Sequence, residues 1–125
     1  MNQERFDKGL AVRREVLGAE YVDRALAAAD DFTRPMQELV TEYCWGEVWT
    51  QPELPRQTRS LINIAMISAL NRPHELQLHV RGALRNGCSK EEIRAVLLQV
   101  AIYCGVPAAI DGFRTASAVL KEEGL

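Results

Sequence analysis

The chain has 125 residues, of which 47% are hydrophobic and 26% are charged, and its formal net charge is −2. High hydrophobic content with a small net charge excludes an intrinsically disordered protein, and the length predicts a single domain over residues 1–125. With 15 Lys and Arg against 17 Asp and Glu, the chain lacks the overall basic field that is typical of nucleic-acid binding.

Helical periodicity runs through almost the whole chain, and strand patterns are nearly absent. The first half predicts three helices, over residues 3–17, over 21–29, and from about Thr33 to Gly46. The stretch 47–55 contains two prolines and is predicted to be a loop in which Trp49 is exposed.

The second half predicts four helices, from Arg56 to about Asn71, from Pro73 to Asn86, from a capping box at 89–92 to Gly105, and from Pro107 to about Glu122. Two segments in it, 61–70 and 93–102, are apolar nearly all round, which predicts burial on several sides. The predicted fold class is therefore all-α, with six or seven helices. Since a chain of this size has difficulty covering both segments, we expect an obligate homo-oligomer.

The N-terminal residues and the cysteines predict a compartment. Residues 1–8 are not followed by the apolar run of a signal peptide, and no window approaches 18 uninterrupted apolar residues, so no membrane span is expected. Cys44, Cys88 and Cys104 form no C-x-x-C pair, so neither a zinc ribbon nor a dithiol redox motif is predicted. We expect reduced, mostly buried thiols in a cytoplasmic protein.

One helical face carries candidate catalytic residues. Arg72, Glu75 and His79 are three and four residues apart, which places them on one face of a helix. The carboxylate can hold the imidazole in one tautomer, and the arginine can bind a substrate carboxylate through two hydrogen bonds. An ordinary exposed Glu–His pair is the alternative. A zinc site is rejected, because His74 and His79 lie about 140° apart around a helix.

Arg59 and Arg81 are further candidates for binding a carboxylate. Arg59 lies early in an otherwise apolar helix, where a buried guanidinium requires an anionic partner. Arg81 lies about 160° from His79 around their helix, so it could reach the same pocket only across a bend or from another subunit. A salt bridge is the alternative for each arginine.

Residues 43–49 hold both tryptophans of the chain. Trp45 and a neighbouring aromatic could cover a small-molecule pocket, with Glu47 as an acid–base group. Packing of this segment over the core or at a subunit contact is the alternative. Tyr103 and Cys104 are predicted to be core residues at a helix junction.

Four blocks of the chain resemble the carboxymuconolactone decarboxylase family: Tyr43–Trp49, Thr58–Leu61, His79–Ala83 and Tyr103–Ala109. Residues 13–18 resemble it too, so the resemblance covers nearly the whole chain. It implies an all-α fold of the alkylhydroperoxidase-D type that assembles into trimers or hexamers. It also implies decarboxylation of 4-carboxymuconolactone to β-ketoadipate enol-lactone and CO₂ in protocatechuate catabolism, without a metal or an organic cofactor.

The resemblance also separates this chain from the redox members of the same superfamily. Those members carry C-x-x-C-x-x-x-H, and alignment of that pattern on His79 places its two cysteines at Arg72 and Glu75. Both thiols are replaced here, and Ser60 stands where the redox members carry a glutamate. Peroxide reduction through a disulfide is therefore excluded.

The resulting hypothesis assigns His79 as proton donor or oxyanion partner, oriented by Glu75. The substrate is expected to contact a further set of residues: Arg72, Arg59, Trp45, Glu47 and, as a weaker candidate, Arg81. Two alternatives stay open. One is a related enzyme that acts on another small acidic lactone, and the other is a non-catalytic, oligomeric ligand-binding protein.

Overall fold

The computed structural model describes residues 1–125 and contains seven α-helices, one π-helix and no strand. The elements are α1 Gln3–Leu17, α2 Ala19–Ala27, α3 Arg34–Leu39, the π-helix Val40–Val48, α4 Arg56–Leu70, α5 Pro73–Arg85, α6 Lys90–Cys104 and α7 Val106–Glu122. The predicted all-α fold class is confirmed. The chain divides into two compact units, residues 1–55 and 56–125. The prediction of one domain over 1–125 stays a prediction.

Most helix ends lie where local signals placed them. Gly18 and Gly105 have φ angles of 95° and 104°, a backbone conformation that favours glycine, and each separates two consecutive helices. The Ser89 side chain accepts from the backbone N–H of Glu92 at 3.0 Å, and the Glu92 carboxylate accepts from the backbone N–H of Ser89 at 2.8 Å. The predicted capping box is therefore confirmed.

The prediction that the third helix ends near Gly46 is wrong. The helix continues to Val48 as a π-helix, and the backbone N–H of Trp49 donates to the carbonyl of Cys44, five residues earlier, at 3.0 Å. Trp49 is 6% exposed, so its predicted exposure in a loop is wrong as well. A pattern with 3.6 residues per turn does not reveal a helix with wider turns, which explains the error.

In the first unit, α1 packs directly against the backbone of the π-helix. A Cβ atom added at Gly9 would lie 1.8 Å from the carbonyl oxygen of Thr41, and one added at Gly46 would lie 2.2 Å from that of Arg5. Neither position has room for a side chain. The two glycines therefore permit an approach between helices that no other residue would allow.

A buried arginine joins α1 to the segment where α3 becomes the π-helix. Arg13 is 5% exposed, and its Nη1 donates to Gln37 Oε1 at 3.0 Å and to Thr41 Oγ1 at 3.1 Å. The Thr41 hydroxyl in turn donates to the carbonyl of Gln37 at 2.7 Å. Burial lowers the pKa of Arg13, while Tyr21 and Cys44 act weakly in the opposite direction.

The second unit has an aliphatic core drawn from all four of its helices. Its buried members are Ile64, Leu76, Val80, Ala83, Cys88, Ile93, Leu97, Ala116 and Val119. No helix in the structure is both long enough and apolar enough to span a membrane.

The apolar segments of α4 and α6 are not buried on all sides within the single chain. Ile62, Met66 and Leu70 are exposed on α4, as are Leu98 and Ile102 on α6. The prediction that Tyr103 and Cys104 belong to the core is wrong, because Tyr103 is 81% exposed and Cys104 is exposed too. The chain thus presents an apolar surface that its own residues do not cover.

Candidate active site

His79 lies in the middle of α5 and is half-buried. Pro73 is at the first position of this helix, where its missing N–H and fixed φ are well tolerated. The amide nitrogen Nδ2 of Asn63, in the middle of α4, lies 3.3 Å from Nδ1 of the His79 ring. Two neighbouring helices therefore contribute one side chain each to this contact.

The environment of His79 favours the neutral imidazole. Burial lowers its pKa from 6.5 to about 4, and the charge of Glu75, one helical turn earlier, acts in the opposite direction but more weakly. Near neutral pH the ring is therefore uncharged, with one nitrogen that donates and one that accepts a hydrogen bond. A group in that state can stabilise a developing negative charge on oxygen through its N–H.

Arg72 does not share a helical face with Glu75 and His79, so that part of the prediction is wrong. Arg72 precedes the helix, with φ −119° and ψ 79°, because the proline that follows it disfavours the helical conformation. Its guanidinium donates to the carbonyls of Leu70 at 3.1 Å and Asn71 at 3.4 Å, at the end of α4. Glu75 and His79 remain four residues apart within α5.

The other two predicted arginines differ in their surroundings. Arg59 is half-buried and lies four residues before Asn63, so the two residues share a face of α4. Arg81, on α5, forms an ion pair with Glu122 of α7. Arg59 therefore lies on the side of α4 that contacts His79, whereas Arg81 is already paired with a carboxylate of its own chain.

The tryptophans of the first unit form a pair. The ring centroids of Trp45 and Trp49 are 4.6 Å apart with an angle of 30° between the ring planes, and Trp45 is 3% exposed. Glu47 is exposed, and its Oε2 lies 3.6 Å from Nε of Arg5. The guanidinium of Arg5 also lies 5.0 Å from the ring centre of Tyr43.

Each unit has one larger groove. The groove of the first unit, of about 260 Å³, is lined mainly by polar residues, and its lining is Asn2, Glu4, Arg5, Lys8, Gly46, Glu47 and Thr50. The groove of the second unit, of about 330 Å³, is mainly apolar and is lined by Thr58, Leu61, Ile62, Ala65, Val96, Gln99, Val100, Tyr103 and Cys104. Of the predicted site residues, only Glu47 lines either groove. No three His, Cys, Asp or Glu side chains are grouped so as to hold a metal ion.

Asn63 is the residue that the sequence argument missed. It is the one polar residue within the apolar run 61–67, and a polar side chain in such a run requires a hydrogen-bond partner. That signal marks Asn63 as unusual. Its partner on another helix becomes known only from the packing of α4 against α5.

Comparisons with known proteins identify a family that this chain resembles along most of its length. Residues 34–118 match the model of the carboxymuconolactone decarboxylase family. The 4-carboxymuconolactone decarboxylase of Acinetobacter baylyi is 40% identical over 124 residues, which are 99% of this chain and 92% of that protein. The nitrosuccinic acid decarboxylase npaB of Metarhizium robertsii is 48% identical over 111 residues, 89% of this chain and 78% of that protein. A 4-carboxymuconolactone decarboxylase of Pseudomonas putida is 42% identical over 45 residues, which are 36% of this chain and 94% of that sequence.

Proposed function

Since this chain belongs to the carboxymuconolactone decarboxylase family, we propose that it is a carboxy-lyase that converts 4-carboxymuconolactone to β-ketoadipate enol-lactone and CO₂. The reaction belongs to the protocatechuate branch of aromatic catabolism and requires no metal or organic cofactor. The observation that carries the proposal is the full-length similarity to a relative of that name, together with a half-buried histidine whose pKa is lowered to about 4.

The chemistry of this substrate defines what the protein has to supply. The bond between the ring carbon and the departing carboxylate breaks. Its electron pair is delocalised into a dienolate, whose negative charge lies on the carbonyl oxygen of the lactone. A proton must then be added to carbon. The protein therefore needs to hold a dicarboxylate, to stabilise charge on the lactone oxygen, and to admit a proton donor.

We assign the stabilisation of the lactone oxygen to His79. A neutral ring is a poor acid but a good hydrogen-bond donor, so the lowered pKa supports the oxyanion role over direct proton donation. Glu75, one turn earlier on α5, is assigned to orient the ring, and its charge also raises the pKa of His79 against the larger effect of burial.

We assign the binding of a substrate carboxylate to Arg59 and Arg72. Arg59 has the better support, because it shares a face of α4 with Asn63. Arg81 is a weaker candidate, because it already pairs with Glu122. Trp45 and Glu47 remain predicted substrate contacts. The arginines should bind the retained carboxylate, because a strong ion pair with the departing one would stabilise the ground state and slow the reaction.

Substitution of His79 tests the assignment. We expect His79→Ala to lower kcat about 100-fold or more and Glu75→Gln to lower it several-fold, in an assay that follows CO₂ release from enzymatically generated carboxymuconolactone. His74→Gln is the matched control, because His74 lies on the same helix and is exposed. Nearly full kcat in both the His79 and the Glu75 variant would contradict the assignment.

Nitrosuccinic acid is a second candidate substrate, favoured by the 48% identity to a decarboxylase of that compound. It too is a dicarboxylate. Loss of the carboxylate next to its nitro group leaves a nitronate, in which the electron pair again ends on oxygen. Parallel assays of the two substrates decide between them. We expect the higher kcat/KM for carboxymuconolactone, and a higher value for nitrosuccinic acid would make the second candidate the correct one.

We also propose a homo-oligomer, a hexamer or a trimer, in the cytoplasm. The apolar residues Met66, Leu98 and Ile102 are exposed in the single chain, and the three cysteines are free thiols, as a reducing compartment allows. Equilibrium sedimentation at micromolar concentration should show an assembly. Ile102→Glu should weaken it and Lys121→Glu, at an exposed polar position, should not. A monomeric wild-type protein would contradict the proposal.

A further inference from the structure

Asn63 is a polar side chain within an aliphatic stretch of α4, and its contact with His79 is directional. The amide nitrogen Nδ2, which lies 3.3 Å from Nδ1 of the ring, can only donate hydrogen bonds. Nδ1 must therefore accept. In a neutral imidazole one nitrogen accepts and the other carries the proton, so a hydrogen bond from this amide to Nδ1 requires the tautomer with its proton on Nε2.

The charged groups around the ring leave it in the neutral form that this argument requires. Glu75 lies one turn before His79 on α5, and Arg59 shares the Asn63 face of α4. Arg81 lies two residues after His79 on α5, and it forms an ion pair with Glu122 of α7. Burial outweighs the effect of Glu75 and lowers the pKa of His79 to about 4, so the ring has a single proton at neutral pH.

We propose that Asn63 is a positioning residue that holds His79 in the tautomer with its proton on Nε2, so that the ring offers a hydrogen-bond donor to the oxygen that becomes negative. This inference rests on the decarboxylation proposed above, and it identifies the group that prepares His79 for that reaction. The amide itself does not touch the substrate. It selects which of two neutral forms of the ring is present.

Nuclear magnetic resonance of the histidine ring nitrogens tests the tautomer without any substrate. We expect the wild-type protein at pH 7 to show a protonated Nε2 and an unprotonated Nδ1 for His79. In Asn63→Leu, which has a similar volume but no donor, both tautomers should be populated. In Asn63→Asp, the carboxylate can only accept, so the proton should move to Nδ1. His74 serves as an internal control, because its ring is exposed and its signals should be the same in all three proteins.

The same variants separate positioning from a purely structural effect. Since activity follows the fraction of the ring in the competent tautomer, we expect kcat to fall about 2-fold in Asn63→Leu and about 100-fold in Asn63→Asp, with a smaller change in KM and an unchanged circular dichroism spectrum. A purely structural role would change folding but would not invert the tautomer in the aspartate variant.

Two results would overturn the proposal: a proton on Nδ1 in the wild-type protein, or unchanged tautomers in both variants. A fully retained kcat in Asn63→Asp would overturn it as well. If the wild-type protein turns over neither carboxymuconolactone nor nitrosuccinic acid, the proposed function fails, and the ring-nitrogen signals alone still decide the role of Asn63.

Discussion

Different interactions stabilise the interior of each of the two compact units. In residues 1–55, the close contacts are between backbones, at Gly9 and Gly46, and the buried polar network centres on Arg13. In residues 56–125, an aliphatic cluster fills the space between four helices. The half-buried His79 on α5 contacts Asn63 on α4. The first unit therefore depends on shape and on hydrogen bonds at a few positions, and the second depends on apolar volume spread over many side chains.

This difference determines where each unit tolerates change. An aliphatic core adjusts to an altered side chain by shifting flexible neighbours, although at a cost in packing. A backbone contact cannot adjust in that way, because both partners belong to helices. Single substitutions should therefore be more damaging at the glycines of the first unit than at equivalent positions of the second.

The largest effect is expected from Gly9→Ala. The added methyl group would lie 1.8 Å from a backbone oxygen, so α1 and the π-helix would have to separate, at a cost of about 3 kcal/mol or more. Gly112→Ala in α7 is the matched control. There the nearest atoms are Leu97 Cδ2 at 2.9 Å and Ser68 Oγ at 3.1 Å, and alanine favours the helix by about 1 kcal/mol, so we expect a net change within about 1 kcal/mol. Urea unfolding measures both, and equal losses would refute the comparison.

Within the second unit, Leu97→Ala should lower the free energy of unfolding by about 2–5 kcal/mol, because Leu97 is 1% exposed in the aliphatic core. Leu98→Ala, at the next position of α6, is the control, because Leu98 is 55% exposed in the single chain. We expect the loss of unfolding free energy in Leu98→Ala to depend on protein concentration and the loss in Leu97→Ala to be independent of it. The reverse pattern would show that the core is not where the structure places it.

The stability of the protein should depend on pH through His79. Between pH 6.5 and about 4 the unfolded chain binds a proton at this ring and the folded chain does not, so the stability that His79 contributes is complete above pH 6.5 and is lost as the pH falls towards 4. The full loss is roughly 3 kcal/mol, from 1.36 kcal/mol per pKa unit. The difference between urea unfolding of the wild-type protein and of His79→Gln isolates this contribution. Parallel curves for wild type and His79→Gln would show that the ring is not neutral in the folded state.

The smallest effects compare two buried hydroxyl groups. Thr41 accepts a hydrogen bond from Arg13 and donates one to Gln37, so Thr41→Val should cost about 1–3 kcal/mol. The hydroxyl of Ser68 is buried without a hydrogen-bond partner in the chain, so Ser68→Ala should be neutral or stabilising by up to about 1 kcal/mol. Thermal unfolding of the two variants provides the comparison, and a costly Ser68→Ala would show that this hydroxyl is satisfied in solution.

The parts of the fold that follow local rules could be predicted from the sequence. Gly18, Gly105 and the capping box at Ser89 end or begin helices through interactions within a few residues. The π-helix could not be predicted, because a periodicity of 3.6 residues does not distinguish it from an α-helix and because its close approach to α1 is not contained in a local pattern. For the same reason, the burial of Trp49 was missed.

The candidate site shows the same limit. Glu75 and His79 could be placed together, because they are one turn apart on α5. The position of Arg72 outside α5 also follows from the sequence, since the proline after it disfavours a helical conformation. The contact between Asn63 and His79 was not predictable, because it depends on how α4 and α5 are rotated against each other.

The pairing of Trp45 and Trp49 has a practical consequence for observing this protein in solution. They are the two tryptophans of the chain, both lie within residues 1–55, and their ring centroids are 4.6 Å apart. Tryptophan fluorescence and the near-ultraviolet circular dichroism of coupled indoles therefore report on the first unit, while the second unit contributes Tyr103 as its single tyrosine. The wild-type chain thus contains an optical probe for one unit, and amide signals follow both. An unfolding experiment that follows both signals can therefore establish whether the two units unfold together.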